Sequence, residues 1–137
     1  MKLSKQDKEH VLAFLMQSSS LHDLLEILSN ICKNLDLNYL NPRIKHFRYF
    51  QFTFFGLIVK AKGLLDMMLF KSEFLEKNLT DFKEIYVKLQ NLKKGMEKAY
   101  NLINKKKMDE GKKEIIKIDN EYFKIFQIIN EIANRMI

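Results

Sequence analysis

From residue 82 onward, an apolar residue recurs at steps of three and four. Phe82, Ile85, Leu89, Leu92, Met96, Ala99 and Ile103 form one series, and Ile115, Ile118, Tyr122, Ile125, Ile129, Ile132 and Met136 form a second. That spacing puts each series along one face of an α-helix. The run Lys105 to Gly111 between them is mostly polar. The pattern therefore predicts two heptad helices folded into an antiparallel hairpin. Gly111 falls either in the loop or in the first turn of the last helix.

The N-terminal third is less regular. Ser4 with Asp7 three residues on is a helix-start pattern, and Val11, Leu12, Phe14, Leu15 and Met16 follow it. Three serines, Ser18 to Ser20, then interrupt. Ser20 with Asp23 repeats the start pattern, and Leu21, Leu24, Leu28, Ile31 and Leu35 resume the helical stripe. This reads as two short helices joined by a serine turn. Asn41-Pro42 is the next start signal, since proline at the first helical position loses no needed N–H. A third helix is predicted from Pro42 to about Lys77, either continuous or divided near Gly56 and Gly63. Thr80 is the expected cap of the next helix, with Asp81 at the positive end of its dipole. Asn78-Leu79-Thr80 also matches a glycosylation sequon; capping is the reading adopted. The expected fold is all-α: an antiparallel helical bundle of four to five helices, two short N-terminal helices followed by three long ones, in a single domain over residues 1–137.

His46 to Phe70 is the most apolar stretch and holds six phenylalanines. Lys60, Lys62 and Asp66 interrupt it, and each charge at mid-membrane costs roughly 2.5–3.5 kcal/mol. No membrane span is expected there. Residues 49–59 are instead expected to be buried nearly all round, at the centre of the bundle or partly under another chain. Phe54, Phe55, Ile58 and Leu65 are the candidate core or partner-facing residues.

Composition agrees with a helical bundle. The chain has one proline and four glycines in 137 residues, too few breakers for many short strands. It is 47% hydrophobic and 30% charged, which argues against disorder. A single cysteine, Cys32, excludes an intramolecular disulfide framework, and Met1 to His10 lacks an apolar signal core. A reducing, cytoplasmic setting is expected.

Catalytic and metal chemistry need particular residues at particular spacings. His10, His22 and His46 are far apart, and one cysteine with three scattered histidines does not make a zinc set. Paired Glu-x-x-His elements, a Gly-rich phosphate loop and a nucleophile elbow are all missing. No catalytic residue, metal or cofactor is expected, and the protein is read as a non-enzyme.

Net charge is +7, unevenly placed: residues 41–107 carry fifteen Lys/Arg against six acids, and the remainder carries −2. Lys83, Lys94, Lys98 and Lys105 fall near one face of the fourth predicted helix, opposite its apolar row. Lys106 and Lys107 extend that face into the loop, and Arg43, Lys45 and Arg48 make a second basic group. Together these nine residues form a candidate polyanion-binding surface, since neutralised phosphates release counterions.

Two sequence resemblances bear on function. Arg43-Ile-Lys-His46 opens a helix as the Arg/His pair of HEPN-type ribonucleases does, but with a gap of two where that family has four to six, so the catalytic pair is not carried over. The span 44–130, through His46-x-x-Tyr49 and the run KKGMEKAYNLINKKKMDEGKKEI, is similar to chemoreceptor zinc-binding bundles. It lacks a cysteine between Gly63 and Phe82, and Leu89 and Lys93 stand where that family's later histidines would fall. The resemblance implies a metal-free sensory bundle. Three functional expectations follow: first, a non-enzymatic interaction module docking to itself or to a protein partner; second, an accessory RNA- or DNA-binding protein; third, the metal-free sensory bundle.

Overall fold

A computed structural model describes residues 4–34, 47–77 and 79–136, the side chains of 47–51 and 136 excepted. The protein is all-helical over these residues. Its helices are α1 (Lys5–Asn34), α2 (Phe47–Glu76), α3 (Asp81–Asn104) and α4 (Met108–Met136). Each packs on two neighbours: α1 on α2, α2 on α3, α3 on α4, and α4 back on α1. The cross-helix contacts run in opposite senses. His10 meets Phe74 while Ser18 and Met68 meet at Tyr122, and Phe55 meets Tyr100 while Asp66 meets Lys93. The result is an up-down-up-down antiparallel four-helix bundle.

The two C-terminal apolar series fill their side of the core. All seven positions of the α3 series are buried, as are Ile115 through Ile132 of the α4 series. Gly111 lies in the first turn of α4 and is buried against Ile103. The α3–α4 turn closes with Lys106 in the left-handed region, φ 64°. The N–H of Lys107 donates to the Leu102 carbonyl at 2.9 Å and that of Lys106 to Ile103 at 3.0 Å. This is a Schellman closure with lysine at the position where glycine is usual.

The N-terminal expectation is corrected. There are not two short helices but one of 30 residues. Ser4 does cap it, its Oγ accepting the Asp7 N–H at 3.1 Å. The serines do not turn the chain. Ser18 occupies a core row with Val11, Phe14, Leu21, Leu25, Leu28 and Cys32, and it is fully buried. Its polarity is satisfied across the bundle: the Tyr122 hydroxyl donates to the Ser18 carbonyl at 2.7 Å and lies 3.0 Å from its Oγ. The bundle therefore has four helices among the described residues, with a long helix at its N-terminal end.

Two further details differ. Thr80 stands at the α3 N-cap position with helical dihedrals (φ −59°, ψ −26°) and makes no side-chain cap bond. Its carbonyl accepts the Lys83 N–H at 3.1 Å. In that conformation the hydroxyl is not presented to the first turn, where Asp81 and Glu84 supply the favourable charge. α2 is a single helix from Phe47 to Glu76, so neither Gly56 nor Gly63 divides it. The expected start at Asn41-Pro42 and the sequon asparagine at 78 lie outside the described residues.

Candidate interaction surfaces

The expectation that residues 49–59 lie at the centre of the bundle is corrected over the side chains described. α2 has the same status as its neighbours, one face in and one face out. Phe54 and Ile58 are buried, and Ala61, Leu65, Met68, Ser72 and Leu75 continue their row. Phe55 is half-buried, its ring edge-on to Tyr100 at 5.7 Å. Phe52 is 81% exposed and Val59 55% exposed. Further along the outer face, Phe70 is 73% exposed, Met67 51% and Phe74 39%. At 100° per residue, positions 52, 56, 59, 63, 67, 70 and 74 fall within about 80° of arc. They make an uncharged ridge along the outside of α2, with Gly56 and Gly63 as gaps in it.

The predicted basic face is only partly concentrated. Lys83, Lys94, Lys98, Lys105, Lys106 and Lys107 are all exposed along α3 and the α3–α4 turn. Lys98 lies 3.9 Å from Glu114 on α4. Neighbouring Lys93 is held at 2.9 Å by Asp66 of α2; this hydrogen bond and the carboxylate charge raise its pKa above the ordinary lysine value. Lys88 bonds Glu84 at 3.0 Å. Acids thus offset part of the positive surface. Arg43 and Lys45 lie outside the described residues, and Arg48 falls within α2 in the part whose side chains are not described.

Leu89 is part of the core and Lys93 is tied to Asp66, so α3 presents no ligand pair at those positions. One trio was missed in the sequence. His22, Asp23 and Glu26 bring one ligand-type atom each within 4.8 Å of one another on a single turn of α1. The signal, i, i+1, i+4 on a helix, is present in the sequence. Asp23 and Glu26 are exposed, while the His22 ring stacks on Phe126 at 4.5 Å. Asp23 and Glu26 thus belong to a solvated helix surface, whereas Nδ1 of His22 is buried without a hydrogen-bond partner among the described residues.

Cys32 is buried in the core, and burial pushes its thiol up to about 11. Such a thiol is a poor nucleophile at neutral pH. The open groove between α2 and α3, about 510 Å³, is lined by Phe70, Tyr86, Lys93 and Lys94 among others. α1 is long and apolar enough over one stretch to cross a membrane by composition, and 39% of that stretch is buried in the bundle. Comparison with models of known protein families, with curated proteins and with solved structures finds no match to this chain.

Proposed function

We propose that the protein is a non-enzymatic interaction module whose docking element is the outer ridge of α2. The observation carrying this reading is the exposure of Phe52 (81%) and Phe70 (73%) on one uncharged face. Single exposed apolar residues are normal, but a contiguous apolar strip rimmed by polar residues marks an interaction site. The inert state of Cys32 and the wide separation of the three histidines in sequence support a non-enzyme. In this reading α1 is a bundle helix, its buried row facing Tyr122 and the α4 core, and the protein does not span a membrane.

The test is a photo-reactive amino acid at Val59, with a second at exposed Lys124 of α4 as control, introduced into the full chain in its native cell. Protein adducts, to itself or another chain, should form from position 59 well above those from 124. Equal yields from both positions would remove α2 as the docking element.

A second reading, an accessory polyanion binder, is favoured by the exposure of Lys83, Lys94 and Lys105 to Lys107 on one side of the bundle. The acids paired with Lys88, Lys93 and Lys98 weaken it.

A further inference from the structure

The four glycines divide into two kinds. A Cβ on Gly111 would overlap Ile103, and one on Gly95 would lie 3.3 Å from Glu114 and 3.4 Å from Ile118. Those two glycines let α3 and α4 approach. A Cβ on Gly56 or Gly63 would meet nothing within 4 Å. Each lowers helix propensity relative to alanine. The bundle itself gives no return for that cost, and both gaps lie on the exposed ridge of α2.

We propose that this ridge packs against the same ridge of a second copy, antiparallel, with the two-fold axis at Gly63. This deepens the docking reading above and rests on it. The spacing of the ridge carries the register. Measured from Gly63, the other positions lie four, seven and eleven residues away on each side. An antiparallel pair centred there sets Gly63 against Gly63 of the second copy. Phe70 then faces the gap at Gly56, Val59 faces Met67, and Phe52 faces Phe74. Each large ring near the centre enters a gap, and the backbones approach where both helices lack a side chain. A parallel pairing in register would set Phe70 on Phe70 and leave Gly56 opposite Gly56, so the rings would meet and the gaps stay empty. A two-fold contact needs a self-complementary patch, and only the antiparallel arrangement makes this one so.

The area is sufficient for a weak dimer. With phenylalanine side chains of about 150–250 Å², the exposed parts of Phe52, Val59, Met67, Phe70 and Phe74 offer roughly 500 Å² per subunit. Two copies would cover about 1,000 Å², the lower edge of specific interfaces. None of the seven ridge residues is charged, so no ion is stripped of water on contact. A weak, reversible dimer is expected, since interfaces at this low end of the size range are typically transient.

Sedimentation velocity on the purified full chain, from about 1 to 300 μM, should show a monomer–dimer equilibrium. Gly63→Gln, at an exposed position where an added Cβ meets nothing within 4 Å, should weaken dimerisation at least tenfold without lowering the melting temperature; Val87→Gln on the outside of α3 should leave it unchanged. Orientation is tested by oxidative cross-linking. Gly63→Cys should form a disulfide dimer. Phe52→Cys should not, since its two copies would stand about 33 Å apart along the paired helices. A monomer across the whole range overturns the proposal, as does cross-linking by Phe52→Cys with none by Gly63→Cys. Adducts to a different protein from position 59, with a purified chain that stays monomeric, would leave the docking reading standing and sink the second copy.

Discussion

The Tyr122 hydroxyl on α4 donates to the Ser18 carbonyl on α1 at 2.7 Å, and the Ser18 hydroxyl lies 3.0 Å from it, with both residues fully buried. Met68 of α2 approaches the same oxygen, its Sδ at 3.8 Å. Three helices therefore meet at one polar point in a core whose other buried polar residues are Ser29 and Ser72 among those described. The two substitutions here are unequal. Tyr122→Phe strands the Ser18 hydroxyl and should cost about 1–3 kcal/mol. Ser18→Ala leaves Tyr122 its carbonyl acceptor and gains helix propensity, so it should cost less than about 1 kcal/mol. Once Tyr122 is Phe, removing the serine hydroxyl should be neutral or favourable. Urea unfolding of both single variants and the double variant checks this; additive losses would show that the two hydroxyls are not a unit.

That contact also explains what the sequence hid. α3 and α4 were legible because every member of their rows except Ala99 is a large apolar or aromatic side chain, and alanine is still compatible with a core. The α1 row has serine at 18, whose partner is 104 residues away in the chain. Periodicity is local and cannot report a non-local hydrogen bond, so a buried serine beside Ser19 and Ser20 reads as a turn. In α2 the apolar residues are more than one core-facing row requires. Phe54, Ile58 and Leu65 lie in the core row, but Phe52, Val59 and Phe70 lie on the outer face. Apolar residues on two opposite faces suggest a helix buried on both, when one face is left open by the fold. The basic face was readable as a helical arc; its offset by Asp66 and Glu114 comes from neighbouring helices and was not.

Lys106 is the one described non-glycine residue with positive φ, 64°. A side chain in that region costs roughly 1–2 kcal/mol relative to the right-handed region, whereas glycine adopts it freely. Lys106→Gly should therefore raise stability by about 0.5–1 kcal/mol, once the greater entropy of an unfolded glycine is set against the relief. The melting temperature should rise by a few degrees. A fall would mean that the lysine side chain contributes more than its backbone costs.

Gly111→Ala should act in the opposite direction. The added methyl overlaps Cγ1 of Ile103, a buried atom inside the core rather than the tip of a flexible chain. Overpacking costs about 1–3 kcal/mol. The helix gains about 1 kcal/mol from losing a glycine. The net expectation is destabilisation of up to about 2 kcal/mol in denaturant melts; a stabilised variant would show that the first turn of α4 can shift outward freely.

Cys32 ties stability to alkaline pH. Its thiol ionises near 9.0 when unfolded and near 11 in the folded core, because burial disfavours the thiolate more than Lys112 favours it. The folded state thus holds its proton over a window in which the unfolded chain has lost it. Stability from this group is complete below pH 9 and falls as pH rises toward 11, by at most about 1.4 kcal/mol per pH unit. Tyr122, whose ionisation burial also pushes upward, adds a slope of the same sign at higher pH. Cys32→Ala should be less stable at pH 7 and lose less between pH 9 and 11 than the wild type. Parallel curves from urea melts across that range would show that the thiol is not the group responsible.

The basic side of the bundle is tested by salt. Lys94, Lys98 and Lys105 are exposed on α3 and its C-terminal turn, with Lys98 near Glu114. Replacing all three with Gln should change folding little, since exposed substitutions away from special geometry are usually worth less than about 0.5 kcal/mol each. If the polyanion reading is right, the wild type binds duplex DNA or RNA at about 50 mM salt, and its affinity falls steeply as salt rises. Each phosphate contact contributes close to 0.9 to the slope of log affinity against log salt on duplex DNA. The triple variant should bind more weakly and show a slope shallower by two to three contacts, fewer if Glu114 already neutralises Lys98. Equal slopes would move the contact elsewhere on the surface. A wild type that shows no shift even at about 50 mM salt would end the nucleic-acid reading and leave the ridge of α2 as the one proposed interaction surface.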